Sequence, residues 1–263
     1  MPNLSKLAVK QLEKLLTKDG WLERWIAKNS LVGDSVFFEK EQFPWSENLE
    51  ANWTVIRKEL DQVLERVDDL PNFQDISKRQ SRIANDNRWK TYFFYAFGFK
   101  ATKNCERCPE TTKLLEQIPG MKVAFFSILA PGKHIPRHRG KLKTLIRYHL
   151  GLIVPEPKEN CKIQVADEIK YWEEGKSLIF DDTFYHEVWN DTDGYRVVLF
   201  LDIARPLKFP VNVISSLANK FITATPIVKD AKASHKAWED KFDKKRLVVA
   251  LLCDKAPLTA PKI

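Results

Sequence analysis

Between residues 122 and 204 the chain carries seven short runs rich in β-branched and aromatic residues: "KVAFFSILA", "LIRYHLGLIV", "CKIQVA", "EIKYW", "SLIFD", "YHEVW" and "RVVLFLDIA". "PGKHIPRHRGK", "PEPKEN", "EEGK" and "NDTDG" separate them and carry the Gly, Pro, Asn and Asp chemistry of turns. Short strands repeating at roughly ten-residue intervals predict a β-sandwich or barrel. The flanks read differently. Leu4, Leu7, Ala8, Leu12, Leu15 and Leu16 recur at helical spacing, and Trp21, Leu22, Trp25 and Ile26 continue the pattern past Gly20. "FPWSENLEANWTVIRKELDQVLERV" reads as a turn into a helix with Ser46 at the N-cap, and "CPETTKLLEQIP" as a short third helix. Past Pro206 the helical pattern returns in "ASHKAWEDKFDKK". The expected protein is therefore mainly β with flanking helices. A helical region at 1–120 packs on a β core at 121–206, and a helical extension follows at 207–263, all forming one structural domain.

Composition narrows the function. Nine glycines, with no Gly-rich phosphate loop, exclude the nucleotide-binding fingerprints. A net charge of +8 favours an anionic partner, whether an acidic small molecule, a peptide, a lipid or an acidic membrane surface. Nucleic acid is not expected, because the basic residues are interleaved with acidic ones. The start lacks a secretory pattern, and no apolar run is long enough to span a bilayer. The expectation is a cytoplasmic protein, compatible with peripheral contact at the inner face of a membrane. Its oligomeric state stays open. Four cysteines make no disulfide framework, and Cys105 and Cys108 read as buried structural residues rather than a zinc site.

The chemistry concentrates in the β core. Of five histidines, His134, His138, His149 and His186 fall within 53 positions. In "HIPRHRG" the place two residues after His138, where many two-histidine iron sites add a carboxylate, holds Gly140. The "NDTDG" turn predicts a hairpin that sets His186 opposite Arg196. A cation beside a metal-ligating histidine makes sense when a dianion lies between them, one carboxylate on the metal and the other on the arginine. Arg147 and His149 share one strand face, and Ser127 shares its face with Val123, Phe125 and Leu129, which predicts a polar pocket inside the barrel. Lys133, Arg137, Arg139, Lys141 and Lys143 suggest either a solvated loop or an electropositive rim. His134 and His235 read as bystanders. Spacing alone leaves a metal site and a set of core histidines both open.

"PGKHIPRHRG", "RYHLGLIVP" and "WEEGKSLIFDDTFYHEVWN", with an arginine ten positions beyond His186, resemble the aspartyl/asparaginyl β-hydroxylase family from about Ser127 to Pro206. A weaker likeness covers "FPWSENLEANWTVIRKEL". The resemblance implies a double-stranded β-helix (jelly-roll, cupin-like) core and an enzyme that uses Fe(II), 2-oxoglutarate and O2. By it His138 and His186 match the iron ligands, and Ser127, His149 and Arg196 match contacts to 2-oxoglutarate. Arg147 matches an arginine that faces the substrate, with Arg137 and Arg139 at the rim, and Gly140 follows the pattern of the eukaryotic enzymes. The expected reaction is hydroxylation of an unactivated C–H, at the β-carbon of an aspartyl or asparaginyl residue or derivative. "RYHLGL" and "CPETTKLLEQIP" also resemble the bacterial lipid A acyl-chain hydroxylases, which makes an acyl chain the alternative substrate. A halogenase, a cupin-type isomerase and a non-catalytic cupin-like sensor are the rival readings.

Overall fold

The computed structural model describes residues 20–77, 81–223, 230–240 and 242. Among the described residues eleven strands form two antiparallel sheets. The larger sheet runs in the order β1 (Phe37–Phe38), β9 (Ser177–Phe180), β6 (Leu145–Ile153), β11 (Arg196–Ala204), β4 (Met121–Leu129), β2 (Trp89–Ala96) and β3 (Phe99–Lys100). The smaller runs β5 (Lys133–His138), β10 (His186–Asn190), β7 (Cys161–Val165) and β8 (Glu168–Tyr171). The two face each other as a jelly-roll, the double-stranded β-helix expected from the sequence.

Side-chain alternation explains the layers. Val123, Phe125 and Leu129 on β4, and Val198 and Phe200 on β11, point between the sheets to meet Ile135, Ile163, Val165 and Val188 of the smaller sheet. Their neighbours Ala124, Phe126, Ile128, Val197, Leu199 and Leu201 point the other way, into a second core under the helices. The large sheet is thus buried on both faces, so its strands read as continuous apolar runs. The smaller sheet has one wet face, and β7 and β10 alternate buried with half-exposed residues.

The helices cover the outer face of the large sheet. Ile56, Leu60 and Val63 of the helix Trp53–Leu64 are buried there. Ser46 starts a separate short helix, Ser46–Ala51, and makes no capping bond. Glu59 does cap: its carboxylate accepts the backbone N–H groups of Glu110 at 2.9 Å and Thr111 at 2.8 Å, at the start of the helix Pro109–Glu116. Glu59→Ala should therefore lower unfolding stability by ~1–3 kcal/mol in a denaturant titration, because two backbone donors lose a buried charged acceptor.

Three features differ from the sequence expectation. Residues 1–120 are not only helical: β1, β2 and β3 lie there, and β2 pairs with β4 over most of its length. "KHIPRH", read as turn chemistry, is strand β5. The "NDTDG" connection does not close a hairpin, because β10 and β11 belong to opposite sheets. Of the expected terminal helices, Trp21–Lys28 and residues 230–240 are helical, and the rest of both stretches lies outside the described residues. Among the described residues no helix is long and apolar enough to cross a membrane.

Candidate active site

Strands β5 and β10 bring two distant histidines together. His138 ends one strand, His186 opens the other, and they are direct partners across the ladder. Their ring centroids are 4.1 Å apart. Nδ1 of His138 lies 2.9 Å from the carbonyl of Pro136, and Nδ1 of His186 lies 3.0 Å from that of Phe184. Each carbonyl accepts only a proton-bearing nitrogen, so both protons sit on Nδ1 and each Nε2 keeps its lone pair. Burial lowers both pKa values, that of His186 to about 3, with His138 and Arg147 adding to the effect. Two neutral imidazoles with adjacent lone pairs suit a divalent transition metal. Among the described residues no third histidine, cysteine or carboxylate joins them as a metal-binding group.

The other half of the cavity is built from donors. His138, Arg147, His149, His186, Arg196 and Ser127 line one space, walled by Trp89, Phe180 and Phe200. Arg196 is 1% exposed, and its Nε and Nη1 meet no hydrogen-bond partner. Its guanidinium lies 4.4 Å over the Trp172 ring, and burial lowers its pKa to about 10, which leaves it charged at neutral pH. Trp172 Nε1–H also donates to Nδ1 of His149 at 3.3 Å. His149 therefore carries its proton on Nε2, a third buried atom without a partner. Burial, then Arg196 and Arg147, push its pKa well down, so it stays neutral. Trp89 Nε1–H donates to Ser127 Oγ at 3.0 Å, leaving the hydroxyl hydrogen for the cavity. A buried, uncompensated cation costs several kcal/mol. Unpaired donors around it fit a carboxylate, which only accepts.

Sequence reasoning placed His186 and Arg196 opposite each other in a hairpin. The structure corrects the route: Arg196 pairs with Leu129 of the large sheet, and the two side chains line one cavity from opposite sheets. Period-two alternation did bring Arg147, His149 and Ser127 to the cavity. Arg147 is already engaged, 2.8 Å from Asp182 and 3.0 Å from Asp202. Of the five basic rim residues, Lys133 and Lys143 turn inward, to Asp86 at 2.9 Å and Asp181 at 2.7 Å. Arg139 is paired with Glu23 at 2.7 Å, while Arg137 lies 5.3 Å over the ring of Tyr185. His134 sits outside the cavity, bonded to Glu187 at 2.6 Å and stacked on Trp189. Cys105 and Cys108 are buried thiols, and burial pushes Cys108 up to about 12.

Trp89, Trp172 and Asp182 were missed. Asp182 bears on Gly140: a Cβ at 140 would collide with the Asp182 carboxylate, and the Gly140 N–H donates to the Asp182 carbonyl at 2.7 Å. Burial raises the Asp182 pKa to about 6 even beside Arg147. The space a side chain at 140 would fill thus belongs to Asp182. Gly140→Asp should not add a free carboxylate beside the two imidazoles. It should push Asp182 off Arg147 and lower turnover by about tenfold or more with no gain in iron(II) affinity, as titration and initial rates would report.

Residues 50–206 match the family model described as aspartyl/asparaginyl beta-hydroxylase. This chain belongs to the aspartyl/asparaginyl β-hydroxylase family. It is 44% identical over 222 residues to the ornithine lipid ester-linked acyl 2-hydroxylase of Rhizobium tropici, covering 84% of this chain and 79% of that protein. It is 37% identical over 164 residues to the human aspartyl/asparaginyl beta-hydroxylase, covering 60% of this chain but 21% of the human protein. As a member of the family the chain is a hydroxylase of the dioxygenase type. The hydroxylase's cavity, with its paired histidines and unpaired donors, lies entirely within the matched residues.

Proposed function

We propose that this hydroxylase binds Fe(II) at His138 and His186 and uses 2-oxoglutarate and O2 to hydroxylate an unactivated C–H. The observation that carries the reading is the pairing, in one cavity, of two neutral imidazoles with the unpaired donors of Arg196, His149 and Ser127. Bound iron(II), 2-oxoglutarate and O2 supply the oxidising chemistry, with succinate and carbon dioxide as coproducts. Every other task falls to the chain. His138 and His186 offer Nε2, held in place by the carbonyls of Pro136 and Phe184. Arg196 meets the far carboxylate of 2-oxoglutarate, with the His149 Nε2–H and the Ser127 hydroxyl beside it. Trp172 and Trp89 hold those two groups as donors. Phe180, Phe200 and Val188 keep water from the reacting carbon. Arg147, balanced by Asp182 and Asp202 through Nε and Nη2, offers its Nη1 hydrogens to a substrate carbonyl, and Arg137 and Arg139 stand at the entrance.

The two relatives' names share a chemical position. The β-carbon of an aspartyl residue carries the side-chain carboxyl, and position 2 of an acyl chain carries its carbonyl. The target carbon is accordingly the one next to a carboxyl-type carbon. An aspartyl or asparaginyl residue or derivative is the substrate the family name suggests. The ester-linked acyl chain of a lipid is the second reading, favoured by the 44% identity that spans most of both chains. Incubation with an aspartyl peptide and, separately, an ester-linked acyl lipid separates them, with mass spectrometry locating the new hydroxyl. Hydroxylation beside the carbonyl in either is the expected result, and a hydroxyl placed remote from it contradicts the positional reading.

A further inference from the structure

The helix Val211–Thr223 has apolar residues on opposite sides. Val211 turns inward against Ile26 and Leu207, with Leu22 and Trp25 packed around them. Val213, Ile214 and Leu217 face outward, each about half exposed, and Phe209, just before the helix, is 81% exposed. Two more apolar side chains stand out from the segment that packs against it: Leu31 at 62% and Trp21 at 51%. The segment is fixed there by backbone bonds from Leu31 N–H to the Pro206 carbonyl and from Lys208 N–H to the Asn29 carbonyl, both 2.9 Å. Such a strip is more than the scattered apolar exposure of an ordinary surface.

Charge indicates what covers it. Lys28 and Lys208 are exposed on the two segments that carry the strip, and Arg137 and Lys141 are exposed within three residues of His138 in the chain. The acids of the same region are already neutralised, Glu23 by Arg139 and Asp34 by Lys143. The Glu23–Arg139 pair also ties the helix bearing Trp21 to the residue after His138. Next to His186, half-exposed Tyr185 lies under both Arg137 and Arg139, at 5.3 and 5.9 Å from its ring. The helix that bears Trp21 is thus joined, through Glu23, Arg139 and Tyr185, to the chain beside His138 and His186. Shallow apolar insertion flanked by lysine and arginine is how a protein rests on a membrane of anionic lipids.

We propose that Trp21, Leu31, Phe209, Ile214 and Leu217, with Lys28 and Lys208, form a docking face for an anionic bilayer. The face sets the cavity entrance against the lipid layer that holds the acyl chain, so it rests on the acyl-chain reading above.

The full chain is tested by flotation with vesicles of phosphatidylcholine, alone or mixed with phosphatidylglycerol. Binding to the mixed vesicles is expected, and about tenfold weaker binding to the neutral ones. Phe209→Ser/Ile214→Ser/Leu217→Ser should weaken binding by about tenfold or more, and Lys28→Glu/Lys208→Glu should remove the preference for anionic lipid. Circular dichroism and turnover of a detergent-dispersed acyl substrate should stay as in the wild type for both variants. Absence of binding to either vesicle overturns the proposal, as does wild-type binding by the triple variant. So does a wild-type dimer that the triple variant splits while no vesicle floats protein, since the strip would then hold a second copy. Vesicle binding is scored without turnover. Bound protein that leaves every acyl substrate unmodified sinks the substrate reading alone, and acyl hydroxylation in detergent without vesicle binding sinks the docking face alone.

Discussion

Arg196→Met should make the ligand-free protein more stable and blind to 2-oxoglutarate. In the wild type the guanidinium is buried, with two nitrogens unpaired and an aromatic ring as its nearest compensation. Replacing even a paired buried ion with apolar residues of similar volume is often neutral or gains ~1–4 kcal/mol, and an unpaired cation should gain at least as much. For a chain of this size each kcal/mol raises the melting temperature by roughly 2–4 °C. The loss appears only with the ligand. Removing one partner of a buried charged pair costs ~2–5 kcal/mol, or about thirtyfold to several thousandfold in the dissociation constant. Thermal melts with and without 2-oxoglutarate read both effects. A destabilised variant, or one that 2-oxoglutarate still stabilises as it does the wild type, contradicts the role given to Arg196.

His186→Ala should release the metal. Among the described residues no third histidine, cysteine or carboxylate groups with His138 and His186 to hold a metal, so losing one leaves a single contact. Changes to residues that merely orient a metal ligand cost ~10–100-fold in affinity, and removing the ligand costs more. Anaerobic titration should show iron(II) affinity down by more than ~100-fold, and turnover should fall to background. His138→Ala should behave alike. His134→Ala is the internal control: bonded to Glu187 on the outer face, it should leave both measurements unchanged. Equal iron binding by the His186 and His134 variants would mean that the metal lies elsewhere.

How much of this was legible in the sequence depends on which forces leave a local trace. Seven of the eight strands between 121 and 204 were readable because β-branched runs and turn residues alternate there. Strand β2 was not, since "WKTYFFYA" is buried on both faces and shows no period-two pattern. Strand β5 was hidden by Pro136 and its charged neighbours, which are tolerated because β5 is an edge strand of the smaller sheet. "NDTDG" suggested a hairpin, yet Asn190 bonds instead to the carbonyls of Leu129 and Ala130, and the chain crosses to the other sheet. The inward faces of Ser127, Arg147 and His149 were still read correctly, because alternation survives whatever the strand pairs with. Trp89, Trp172 and Asp182 left no signal. Each acts through a partner at least 23 residues away in sequence, at Ser127, His149 or Gly140.

The central claim is that His138, His186 and Arg196 together run iron- and 2-oxoglutarate-dependent hydroxylation. The direct test is a reaction started by oxygen-18 gas, after anaerobic loading with iron(II), 2-oxoglutarate and the aspartyl or acyl substrate, with succinate and hydroxylated product quantified together. The account predicts one succinate per hydroxyl, oxygen-18 in that hydroxyl, and neither product from His186→Ala or in the presence of a chelator. Hydroxylated product formed without 2-oxoglutarate, or succinate formed equally by His186→Ala, would contradict it.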